Sequence, residues 1–131
     1  MRLNPICSYY HGKTQLMTNN ITYTPDAWVV VKIQQVGSEE VLYKVFAQWY
    51  GGYTKGDSWK MNSGIVRAST DDNYFKFEGY SGSSYWCHKN YYRTTLYGTS
   101  VLNKIINDMK VHGYDVTVLD DCNWSDFIYG V

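Results

Sequence analysis

Alternation of apolar and polar residues is clearest between residues 27 and 50. From residue 27 to residue 36, β-branched apolar side chains recur at every second position, as Val29, Val31 and Ile33 show. A polar stretch at residues 37–40 follows, and a second alternating run occupies residues 41–50. Period-two patterning on both sides of a short turn is typical of two adjacent antiparallel strands. The sequence therefore predicts a β-hairpin here, with Trp28 and Val30 on the face opposite to Val29.

Shorter alternating runs predict further strands at residues 21–24, 65–69, 74–78 and 114–119, with Phe75 and Phe77 pointing inward. One segment has helical rather than strand spacing, and its apolar stripe consists of Val101, Leu102, Ile105, Ile106 and Met109. This stripe predicts a helix over about residues 100–112, with Thr99 or Ser100 as N-cap and Gly113 as the residue that ends it.

The order of these elements indicates an α+β fold. We expect a single, mainly antiparallel sheet of about five or six strands, with the amphipathic helix packed on one face. A chain of 131 residues fits one domain, residues 1–131. Residues 1–20 are polar and are predicted to be loosely ordered, whereas the aromatic tail around Trp124 is predicted to dock back on the domain.

Two glycine- and aromatic-rich segments, residues 48–64 and 79–93, interrupt the alternation and are interpreted as loops. Glycine permits close backbone approach, and Tyr and Trp supply rigid contact area with a polar group attached. The pattern favours a composite recognition surface built from both loops. Its candidate binding residues are Trp49, Tyr50, Tyr53, Lys55, Asp57, Trp59, Lys60, Tyr80, Tyr85, Trp86 and His88.

Composition narrows the classes of partner. The chain has 14 Tyr and 5 Trp, an excess that suits a contact surface. Basic and acidic residues number 12 each, and this zero net charge argues against duplex nucleic acid as the partner and against mimicry of DNA. No apolar run approaches the length of a bilayer span, so no membrane partner is expected. The composition leaves a homo-oligomer open.

Residues that could carry out catalysis or bind a metal are few, and their spacing does not match a known site. Cys7, Cys87 and Cys122 lie far apart, without an apolar leader before them, and are interpreted as free thiols of a cytosolic protein. Cys87 precedes His88, but neighbours on a strand point to opposite faces, so they are not predicted to form a catalytic pair. No spacing suits a metal site, and the acidic run near residue 120 is interpreted as a solvated turn. We therefore predict no catalytic residue, no metal and no cofactor.

Residues 41–65 and 77–90 carry a family resemblance. The strand followed by Gly51-Gly52 and by Gly-Asp-Ser-Trp at residues 56–59 resembles small accessory proteins of large tailed bacteriophages that infect enteric bacteria. The resemblance implies no catalytic residues. It implies a host-takeover or counter-defence protein that acts in the host cytoplasm.

Together these observations predict a non-enzymatic, phage-encoded protein that inhibits or redirects a host defence or metabolic factor through its aromatic loops. An alternative is a protein that sequesters a nucleotide or another small molecule in a pocket between the same loops. A further alternative is a single-stranded nucleic-acid-binding module in which the aromatics stack on bases.

Overall fold

The computed structural model describes residues 21–52 and 56–129, which form eight strands, one 3₁₀ turn and one α-helix. The strands are β1 (Thr22–Tyr23), β2 (Ala27–Gln35), β3 (Val41–Trp49), β4 (Ser58–Met61), β5 (Ile65–Thr70), β6 (Tyr74–Gly79), β7 (Ser84–His88) and β8 (Tyr114–Val118). The 3₁₀ turn spans Lys89–Tyr91, and the helix α1 spans Leu96–Val111.

The strands form two four-stranded sheets. The central sheet has the order β4-β3-β2-β8, and the outer sheet has the order β1-β7-β6-β5. All pairings are antiparallel except the short parallel pair β1–β7. The α+β class is thus confirmed, with 19% of the described residues in helix and 44% in strands. The strands are divided between two sheets instead of one because β6 and β7 bury their aromatic inner faces against β2 and β3.

Two cores follow from the alternation in β2 and β3. One face of the hairpin packs against the outer sheet in a cluster that includes Trp28, Val30, Phe77 and Tyr85. The other face packs against α1 through Val29, Val31, Phe46, Leu102 and Val116. The molecule is therefore a three-layer sandwich of helix, central sheet and outer sheet. The predicted hairpin, its two faces and the inward Phe75 and Phe77 are confirmed.

The C-terminal segment seals one opening between the two sheets. Trp124 is fully buried against Trp28 and Phe77, and its indole Nε1 donates to Asp121 Oδ1 at 2.9 Å. Tyr92 joins β2 to the residue after β8, because its hydroxyl accepts from Val30 N at 3.1 Å and donates to the Leu119 carbonyl at 2.6 Å. The predicted docking of the tail is confirmed. The prediction of loose order at residues 1–20 lies outside the described residues.

Three boundaries differ from the sequence prediction. Residues 58–61 and 84–88, interpreted as parts of loops, are strands that pair with β3 and β6. The helix begins at Leu96 and not after Thr99 or Ser100, because Thr95 Oγ1 accepts from Gly98 N at 2.8 Å and caps it. The predicted end of the helix at Gly113, with φ of 89°, is confirmed.

Candidate functional site

In the first glycine-rich segment, the described residues on either side of positions 53–55 lie close together after β3. A Cβ atom on Gly51 would overlap the backbone of Gly56, so the two backbones meet as only glycine allows. Asp57 closes the loop by accepting from Gly51 N at 3.1 Å, and Asp26 holds its start by accepting from Tyr50 N at 2.9 Å. Asp57 is therefore a structural residue of this loop. The candidates Tyr53 and Lys55 lie outside the described residues.

Trp59 lies on β4, on the side of the central sheet that carries the helix. Its ring stacks on Phe46 with 5.6 Å between centroids and 28° between planes, while 40% of the residue stays exposed. One ring face is thus fixed by the core and part of the side chain is open to solvent. A supported, half-exposed Trp is the arrangement that anchors protein interfaces.

A buried glutamine joins the strand of Trp59 to the start of α1. Gln48, fully buried, is the register partner of Trp59. Its Nε2 donates to the Arg93 carbonyl at 3.2 Å, and its Oε1 accepts from Thr95 N at 2.7 Å. Gly98 lies directly against the same amide. These contacts place the first turn of α1 beside β4.

Four exposed apolar or aromatic residues lie on segments that adjoin Gln48. Trp59 is its register partner on β4, Tyr50 directly follows the end of β3, and Leu96 and Tyr97 open α1 directly after Thr95. Their exposed fractions are 53% for Tyr50, 93% for Leu96 and 42% for Tyr97. We call this group, with Trp59, the Trp59 patch. None of its four members is charged.

The other candidates from the first loop lie on the opposite side of the central sheet. Trp49 is half-buried and donates from Nε1 to the Thr24 carbonyl at 3.0 Å. Tyr23 stacks on Tyr85 with 4.8 Å between centroids, and Lys60 Nζ lies 5.4 Å from the Tyr23 ring centroid. Tyr85 is 2% exposed, and burial raises its pKa to about 12. As a core residue, Tyr85 cannot serve as an exposed anchor.

Tyr80 packs at the junction of the two segments. Its backbone N donates to the Gly64 carbonyl at 3.1 Å, and its ring occupies the space where a Cβ on Gly64 would stand. Ser81 N donates to Ser63 Oγ at 2.9 Å beside it. The two segments thus touch here, but Trp59 and Trp86 point away from each other on opposite outer sides of the sandwich.

The outer sheet presents a second aromatic surface, which we call the Trp86 face. It consists of Tyr74, Lys76, Trp86, His88, Tyr91 and Arg93. Lys76 Nζ lies 5.4 Å from the Trp86 ring centroid. His88 stacks on Tyr91 at 4.3 Å, and the Arg93 guanidinium lies 5.2 Å from the Tyr91 centroid. Rings and cations therefore alternate along this face.

Neither a Cys87–His88 pair nor a three-ligand metal site is assembled among the described residues. Cys87 faces the core, where burial raises the pKa of its thiol and holds it neutral, while His88 faces outward. Within residues 21–52 and 56–129, no three His, Cys, Asp or Glu side chains could share a metal ion. Two shallow clefts, of about 260 and 370 Å³, lie around Tyr114 and do not border either aromatic surface.

Several residues of these surfaces were missed by sequence reasoning. Leu96 and Tyr97 were placed before the helix, and Tyr74, Tyr91 and Arg93 were not singled out. The alternation Tyr85-Trp86-Cys87-His88 was the available signal for the outer face, since it separates two inward residues from two outward ones.

Comparisons with known proteins give no further assignment: no protein-family model, curated protein or solved structure matches this chain. In the described part of the chain, no helix has both the length and the apolarity that crossing a bilayer requires.

Proposed function

We propose that this protein is a non-enzymatic binding protein whose Trp59 patch docks on an apolar surface of a partner protein. The observation that carries the proposal is that four exposed, uncharged, large residues lie on the chain segments that the buried Gln48 joins. Contiguous exposed apolar side chains on a small domain mark interaction sites, and Trp and Tyr dominate the binding energy at such sites.

The backbone beneath the patch is rigid, which favours tight binding. Phe46 supports one face of Trp59, and the Gln48 amide ties the start of α1 to β3. A preorganised surface loses little conformational entropy when it docks. Leu96 is the first residue of α1, and its side chain is almost free of contacts with the rest of the fold. The Leu96 side chain therefore contributes almost nothing to the stability of the monomer, but it could be buried by a partner protein.

The partner class follows from the phage resemblance and remains part of the proposal: a host defence or metabolic protein that is inhibited or redirected in the host cytoplasm. The test begins with affinity capture from an enteric bacterial lysate, followed by titration calorimetry with the captured protein. Trp59→Ala should weaken binding by on the order of 2 kcal/mol, about 30-fold, because it removes a central aromatic anchor.

Leu96→Ala should weaken the same complex, while Val66→Ala, a change at an exposed valine on β5, should leave the affinity unaltered. Circular dichroism establishes that each variant is folded. If folded Trp59→Ala and Leu96→Ala bind the captured protein as tightly as the wild type, the patch is not the docking site.

A second candidate function is favoured by the Trp86 face. The half-buried Trp86 ring and the exposed Tyr91 ring could stack on the bases of a single strand, while Lys76 and Arg93 neutralise its phosphates. Fluorescence anisotropy with labelled oligothymidine and oligouridine at low salt tests this function. Trp86→Ala should weaken such binding by about 1–3 kcal/mol, with Trp59→Ala as the matched control on the opposite side. Absence of binding at low salt would end this candidate.

A further inference from the structure

β8 is the edge strand of the central sheet beside β2, and its hydrogen bonds show which of its residues bond to β2 and which point outward. Val36 N donates to the Gly113 carbonyl at 2.8 Å, and Leu119 N donates to the Val30 carbonyl at 3.0 Å. Along an antiparallel pair, residues that bond to the neighbouring strand alternate with residues that do not. Positions 113, 115, 117 and 119 therefore bond to β2. The N–H and C=O groups of Tyr114, Val116 and Val118 point away from the sheet.

β8 lacks most of the features that protect the other described edges from pairing. The β5 edge has a register irregularity at Ile65/Arg67, β4 carries Lys60, and β1 has two residues. Bulges, lysines and short length are the usual means of blocking edge-to-edge association. β8 runs for five residues as Tyr-Asp-Val-Thr-Val, without proline, lysine or bulge, and Asp115 is its one charged residue.

We propose that β8 is a homodimer interface, in which it pairs antiparallel with β8 of a second copy of this chain about a two-fold axis through Val116. This inference concerns a surface separate from the Trp59 patch and does not depend on the proposed function. The axis pairs Val116 with Val116 of the second copy and Tyr114 with Val118 of the second copy. Because the outward residues are centred on Val116, the strands can form about six N–H···O bonds with no change in phase.

The side chains agree with this register. Tyr114, Val116 and Val118 share one face of β8, so two copies create a continuous apolar stripe. Val118, 39% exposed in one chain, would be covered by Tyr114 of the second copy. Directly opposed apolar side chains on neighbouring antiparallel strands stabilise the pair.

Charges on the other face of β8 are complementary. Asp115 falls opposite Thr117 of the second copy, and the β2 neighbour of Thr117 is Lys32. An Asp115 carboxylate and a Lys32 ammonium from different copies therefore flank one threonine. Among the described residues neither side chain forms an ion pair, so each is free to make this contact. No like charges are directly opposed; the two Asp115 side chains are diagonal neighbours about 7–8 Å apart, and each also has a Lys32 of the other copy beside its threonine partner.

The helix leaves room for this pairing. α1 starts beside Gln48 of β3 and ends at the Gly113 turn before β8, so it crosses the sheet. The two-fold axis places the two helix C-termini beyond opposite ends of the new strand pair, in which the two Tyr114 residues are already about 13 Å apart along the strands. The pairing thus extends the central sheet to eight strands with both helices on one face.

Analytical ultracentrifugation of the full chain between about 5 and 500 µM tests the proposal. We expect a concentration-dependent dimer. Val118→Pro should give a monomer, because it removes an outward N–H and no bond to β2. Val118→Lys should also give a monomer, because it adds a protective edge charge. Val66→Lys, at the exposed valine of the β5 edge, is the matched control and should still dimerise.

Hydrogen exchange gives a residue-level readout. The amides of Val116 and Val118 should exchange more slowly as the protein concentration rises, whereas the amide of Val66 should not change. Melting temperatures at the lowest concentration establish that the variants are folded. A wild type that is monomeric up to about 500 µM would overturn the proposal. A dimer that persists in both Val118 variants, or that Val66→Lys abolishes, would overturn it equally.

Discussion

Gly98→Ala should destabilise this protein, although glycine-to-alanine changes inside helices ordinarily stabilise. Removing a glycine from a helix interior gains about 0.5–1 kcal/mol because alanine loses less backbone entropy on folding. At residue 98 the new methyl group would stand 2.7 Å from the Gln48 side-chain carbon Cδ and closer still to Oε1. Gln48 is fully buried, so its amide has no solvent to move into.

The magnitude follows from the hydrogen bonds that Gln48 would lose. Displacing its amide breaks the bonds to Thr95 N and to the Arg93 carbonyl, and each buried group left unsatisfied costs about 1–3 kcal/mol. The two groups together cost about 2–6 kcal/mol, and subtracting the helix-propensity gain leaves a net loss of about 1–5 kcal/mol. For a domain of this size that loss lowers Tm by roughly 4–20 °C.

Differential scanning calorimetry of four proteins checks this reasoning: the wild type, Gly98→Ala, Gln48→Ala and the double variant. In the Gln48→Ala background the space beside residue 98 is open, so Gly98→Ala should become neutral or stabilising there. Asn103→Ala, at an exposed position of the same helix, is the matched control and should not lower Tm. A Gly98→Ala protein as stable as the wild type would refute the role assigned to Gln48.

Three other changes give separate readouts. Tyr92→Phe should cost about 1–3 kcal/mol in urea unfolding, since it leaves Val30 N and the Leu119 carbonyl without their partner; an unchanged midpoint would contradict this bridge. The pKa of Tyr85 is raised to about 12 in the folded chain, so between about pH 10 and 12 this phenol ionises in the unfolded chain but stays neutral in the folded one. The contribution of Tyr85 to the free energy of unfolding is therefore fully present below about pH 10 and is lost as the pH rises from 10 to 12. Unfolding measured across that range should therefore show a shallower loss for Tyr85→Phe, and equal slopes would contradict the prediction. Gly51→Ala should lower Tm, because its Cβ would overlap the facing loop backbone, and a fully stable variant would show that the loop can open without cost.

Local patterning was sufficient for the regular parts of the fold. The β2–β3 hairpin, its two apolar faces, the inward Phe75 and Phe77, and the helix stripe that includes Leu102 could all be predicted, because side-chain periodicity reports which residues share a face. The α+β class followed from the order of these elements. The aromatic excess drew attention to Trp59, which is 40% exposed in the fold, but did not indicate which of the aromatic residues face solvent.

The sequence could not determine which element of the fold each strand or helix would pair with or pack against. Two segments, Ser58–Met61 and Ser84–His88, are strands because they form hydrogen bonds with β3 and β6. The glycines that flank these segments in the sequence are typical of loops, so the local pattern did not indicate strands. The helix start at Thr95 depends on Gln48, which is 47 residues away in sequence. A period of two separates Trp86 from Tyr85 but does not say which of them faces solvent. The packing of the outer sheet on β2 and β3 decided that Tyr85 is core and Trp86 is surface, because only that packing supplies apolar neighbours on one side of β7.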